Sequence, residues 1–164
     1  MNTAIQLFLQ ELKTEETASR KCLERIPDGI FDWKPHEKSM NLGYLALLVA
    51  DIPKWISATI EVGTIDLAVW EKYNPTTTED MLKRFEANMA EAKLVLENTS
   101  DEALEEMFYL KMGEQQLMQS SKKESVSSSL NHWVHHRGQL TVYMRLNNIA
   151  VPSIYGPSAD DPNF

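Results

Sequence analysis

The chain has 164 residues, about one domain's length, enough to bury a single core without disulfides or a structural metal. Its hydrophobic fraction of 43% suits a soluble protein, and no run approaches the roughly 18 apolar residues of a membrane span. A formal charge of −8 argues against a nucleic-acid partner, because phosphate-backbone binding draws its affinity from Lys and Arg.

The amino terminus, Met1-Asn2-Thr3, lacks the basic flank of an export signal, and Glu11 interrupts the apolar run such a signal needs. A cytoplasmic location is expected. From Thr3 to Ile26, Ile5, Leu9, Leu12, Ser19, Leu23 and Ile26 recur in steps near three and four, the seam of a bundle helix. Glu16 is the one charged residue assigned to that stripe, either facing a polar pocket or snorkelling to water. Cys22, the single cysteine, reads as core packing, with nothing near it in sequence to lower its pKa. Pro27-Asp28-Gly29 ends the helix, and Trp33-Lys34-Pro35-His36 reads as a packed connection.

Ser39 is the expected cap of a second helix with the stripe Leu42, Leu45, Val49, Ile52 and Ile56, kinked or broken near Ile52 by Pro53. An irregular, aromatic crossing follows from Gly63 to Thr78, and Thr78 is the expected cap of a third helix carrying Leu82, Phe85, Met89, Ala92 and Leu96. Ser100 opens a short extra turn, and Met107 to Met118 reads as a small hairpin around Gly113. A fourth helix is expected from about Lys123 to Asn147, burying Val126, Leu130, Trp133, Leu140 and Met144. The tail from Val151 to Phe164, with three prolines and one glycine, is expected to be extended and docked. The pattern predicts an all-α four-helix bundle, residues 1–164 forming one domain, with a long crossing between the second and third helices.

The fourth helix carries the chemistry. His132 and His136 lie four residues apart, so both rings share one face and can reach one divalent cation at about 2.1 Å. His135 points about 100° away and cannot easily share that cation. Arg137 and Gln139 suit helix orientation, an acidic partner or a dimer contact, and His36 suits local packing. The dispersed glycines form no phosphate cradle.

The segment Asn131-His132-Trp133-Val134-His135-His136-Arg137-Gly138-Gln139, together with Tyr155-Gly156-Pro157-Ser158-Ala159-Asp160 and Asp32-Trp33-Lys34-Pro35-His36, closely resembles the DinB/YfiT-like superfamily. The resemblance implies an up-down-down-up bundle, often a homodimer, with a three-histidine site for nickel or zinc. It implies the activity of a divalent-metal-dependent thiol S-transferase or hydrolase, with the thiol cofactor, if one exists, unknown. His132 and His136 match two of the family's ligands, but Leu48 stands where the helix-two histidine should be. Asp51, one turn along nearly the same face, and Glu16 are the candidate substitutes. Without one of them the site is degenerate and metal is weak or absent. The alternative is then a metal-free bundle, structural or binding a small molecule in a cleft lined by Glu16, Tyr44, Leu48, His132 and His136.

Overall fold

The structure, a computed structural model, describes residues 3–163; Met1, Asn2 and the last tail residue, Phe164, lie outside the described residues. Four long helices dominate: α1 (Ala4–Leu23), α2 (Leu42–Glu61), α3 (Thr78–Glu97) and α4 (Lys122–Leu146). The purely all-α expectation needs correcting, because three strands, β1 (Thr64–Asp66), β2 (Met107–Met112) and β3 (Gln115–Ser121), form a small mixed sheet. The hairpin β2–β3 turns at Gly113, whose φ of 59° is a conformation L side chains rarely adopt. β1 pairs parallel to β2, Thr64 opposite Tyr109. That strand hides in the expected crossing because it is three residues long and gains its pairing from a segment over 40 residues away.

Each helix begins where a side-chain oxygen meets free first-turn amides. Thr3 and Ser121 form capping boxes with Gln6 and Glu124. The caps of α2 and α3 are Asn41 and Thr77, not Ser39 and Thr78. Thr78 Oγ1 instead donates to the Ile26 carbonyl, while its amide donates to Asp28 at 2.6 Å, tying α3 to the end of α1. Pro53 does not break α2, which runs unbroken from Leu42 to Glu61. At its start, the Gly43 amide donates to the Phe31 carbonyl at 2.8 Å. A β-carbon there would sit 2.8 Å from Phe31 Cβ, so only glycine allows this approach without a shift.

α2 packs on both α3 and α4, and α1 closes the ring against α3 and α4. The core threads all four helices through Leu12, Leu45, Ile52, Phe85, Met89 and Trp133. The α1 seam is rotated slightly from the expected one: Phe8, Leu12, Glu15, Ala18, Ser19 and Cys22 are buried, whereas Ile5 and Leu9 are only partly buried. Glu15, not Glu16, is therefore the carboxylate on the inner face. Among the described residues no helix is long and apolar enough to cross a membrane.

The tail docks as expected. Tyr155 donates its hydroxyl to both Glu15 carboxylate oxygens at 3.0 Å and accepts from Arg137 Nη2 at 2.8 Å. Arg137 is 2% exposed and also meets Glu15 Oε2 at 2.5 Å and the Ser19 hydroxyl at 3.3 Å. Asp160 ties the far end of the tail to Arg145 and to the Val151 amide.

Candidate functional site

The inner faces of α2 and α4, with the crossing between β1 and α3, enclose an open cleft of about 680 Å³. Tyr44, Leu48 and Asp51 come from α2, His132 and His136 from α4, and Leu67, Trp70 and Tyr73 from the crossing. Five of the residues singled out in the sequence thus meet at one place. Glu16 does not. It pairs with Lys93 of α3 at 2.5 Å, outside the lining of this cleft.

The two imidazoles face one another, ring centroids 4.4 Å apart and Nε2 to Nε2 at 2.7 Å. His136 Nδ1 lies 2.8 Å from Gln139 Oε1, which accepts, so the proton sits on Nδ1 and the His136 Nε2 lone pair points at His132. His132 Nε2–H then donates to it, and the pair is mutually satisfied. Burial lowers the pKa of both rings below the ordinary 6.5. For His132 the neighbouring His136 and His135 lower it further; for His136 the Gln139 hydrogen bond opposes the shift. Both rings are neutral at pH 7.

This donor set does not fit the ion that the resemblance implies. At a separation of 2.7 Å, two bonds of about 2.1 Å would subtend only about 80° at a cation, whereas a tetrahedral site needs the nitrogens about 3.4 Å apart and an octahedral one about 3.0 Å. Leu48 brings no lone pair to the same cleft. Asp51, the proposed substitute, is already spent: Arg84 Nε donates to one carboxylate oxygen and Arg84 Nη2 to the other at 3.2 Å, and Asn88 Nδ2 adds a third bond at 3.1 Å. Among the described residues, no three His, Cys, Asp or Glu side chains converge as a cation cage.

Sequence reasoning missed the crossing's contribution. Glu71 accepts from Lys54 Nζ at 2.8 Å and from Arg84 Nη2 at 3.1 Å, bridging α2 to α3. These two hydrogen bonds and charges hold its carboxyl down to about 2 from the ordinary 4.5. Arg84 also lies 4.2 Å from the Tyr73 ring centroid, and Lys54 lies 5.8 Å from that of Trp70. Trp55 lies 6.3 Å from Trp70 and 5.5 Å from His132, centroid to centroid. One signal was readable: Asn88 is polar at core spacing between Phe85 and Ala92. Cys22 is fully buried and its thiol is pushed up to about 11, chiefly by burial, which removes it as a nucleophile.

Comparison with known proteins places this geometry in context. The DinB family model matches residues 1–163. YrdA of Bacillus subtilis (strain 168), an uncharacterized protein, is 25% identical over 159 residues, 94% of this chain and 89% of YrdA. The crystal structure of YjoA, a DinB-like protein of Bacillus subtilis, superposes with a TM-score of 0.70 at 17% identity, covering 87% of this chain and 92% of YjoA. A DinB-like protein of Bacillus cereus ATCC 10987 superposes at 0.67 with 21% identity, covering 90% of this chain and 95% of its own. The chain, with its four helices, small sheet and facing histidines, belongs to the DinB family.

Proposed function

We propose that this protein is a DinB bundle whose ion site is degenerate and whose α2–α4 cleft binds a small molecule. The observation that carries the reading is the His132–His136 pair, closed on itself by a 2.7 Å hydrogen bond and sharing its cleft with Leu48. Around it the walls are aromatic and aliphatic, from Tyr44, Leu47, Trp55, Trp70 and Tyr73, as in small-molecule sites where a few polar groups fix orientation. An apolar body against the tryptophans, with a polar atom on the imidazoles, is the ligand such a lining recognises.

Titration with 2-naphthol, followed by quenching of tryptophan fluorescence, tests this reading. Saturable binding to the native chain is expected, with loss in Leu48→Trp, which fills the cleft. Absence of binding, or unchanged binding in the filled variant, would remove the cleft from consideration.

A divalent-metal-dependent thiol S-transferase or hydrolase is the second reading. What favours it is the convergence of two imidazole nitrogens, with Gln139 orienting His136. That reading requires the two rings first to part from their 2.7 Å contact, after which His132 and His136 would hold a nickel or zinc ion able to lower the pKa of bound water or thiol. The family's homodimer and its up-down-down-up helix order belong to either reading. Sedimentation of the full chain checks the dimer.

A further inference from the structure

We infer that the ligand of the α2–α4 cleft is an apolar molecule bearing a single anionic group, and that Lys72 is the side chain that selects it. The inference rests on the small-molecule reading above and concerns the charge of the ligand.

The charged groups at this cleft are unequally committed. Asp51 is enclosed by Arg84 and Asn88, and Glu71 is bridged by Lys54 and Arg84, so both acidic side chains of the lining already face cations. Lys72, in the same lining and exposed, has no ion-pair partner among the described residues. The cleft therefore presents one uncommitted positive charge on a chain whose formal charge is −8. A cationic ligand would meet Lys72, while the lining carboxylates Asp51 and Glu71 are already held by Arg84 and Lys54. A polyanion would find a single free counter-charge. The imidazole pair, closed on itself by its own hydrogen bond, adds polarity, and the aromatic walls add apolar area. An apolar lining and one cation at an exposed position suit an aromatic or aliphatic monoanion, its body inside and its anionic group toward solvent.

Three probes of one shape separate the alternatives: 2-naphthoate, neutral 2-naphthol and 2-naphthylmethylammonium, each titrated into the native chain and into Lys72→Gln. Naphthoate is expected to bind about fivefold tighter than naphthol, the upper range for a solvent-exposed ion pair, with the advantage shrinking as salt rises. Lys72→Gln should bring naphthoate to the affinity of naphthol and leave naphthol unchanged. Equal binding of naphthoate and naphthol in the native chain, or preference for the ammonium, would overturn the inference while leaving the small-molecule reading intact. An advantage that survives Lys72→Gln would overturn the role of Lys72. Binding of none of the three would defeat the small-molecule reading itself.

Discussion

Arg137→Met tests how the tail, α1 and α4 are joined. Arg137 is 2% exposed and Glu15 6%, with their charged atoms 2.5 Å apart and Tyr155 bonded to both. Burial is the largest influence raising the Tyr155 phenol above its ordinary 10.0, so it stays protonated and donates to Glu15 while accepting from Arg137. Removing the guanidinium leaves a carboxylate buried without its counter-charge, which costs about 3–5 kcal/mol. For a chain of this size each kcal/mol moves the midpoint by about 2–4 °C, so the melting temperature should fall by about 6–20 °C. Thermal unfolding followed by circular dichroism reads this. The double variant Glu15→Met, Arg137→Met should recover much of the loss, because an apolar pair of similar volume carries no uncompensated charge. A fall of less than about 3 °C in the single variant, or a double variant no more stable than the single, would show that the ion pair does not join these elements.

Three further outcomes follow from the titratable groups of the cleft. Glu71→Gln should loosen the wall built by Leu67, Trp70 and Tyr73, and amide hydrogen exchange there should quicken about threefold, as expected for loss of an exposed ion pair, with α1 and α4 unchanged. Because the Glu71 carboxyl is held at about 2, its contribution is complete above the ordinary 4.5 and lost only as pH falls through about 2, so exchange in the native chain should not change through this group between pH 7 and pH 5. The histidine pair acts at higher pH. Its rings take protons less readily when folded than the ordinary 6.5, so the unfolded chain binds more protons and stability falls as pH drops from about 6.5 toward the lowered folded values. Urea midpoints at pH 7.5 and pH 5.5 should therefore differ less in His132→Asn, His136→Asn than in the native chain; an equal difference would place the titrating groups elsewhere.

The helices were legible because apolar spacing acts locally, although the caps of α2 and α3 fall at Asn41 and Thr77, not at Ser39 and Thr78. The Met107–Met118 hairpin was legible too, through Gly113 between two mixed runs. Long-range partners were not. β1 is too short to show a pattern and exists through β2, and Asp51 looked available as a ligand because Arg84, 33 residues away, gives no sign in sequence of the face it occupies. Glu16 and Glu15 show the limit of periodicity: a stripe of 3.6 residues per turn, read one residue out of phase, puts the wrong carboxylate inside. The resemblance set Leu48 and Asp51 of α2 against His132 and His136 of α4, and in the structure these four line one cleft together with Tyr44.

Elemental analysis of the untagged protein beside its Leu48→His variant bears most directly on the degenerate site. The native chain is expected to hold clearly less than one equivalent of nickel or zinc, and the variant, with a third imidazole in the same cleft, to hold more. Stoichiometric, tightly held metal in the native chain would contradict the reading of a histidine pair closed on itself.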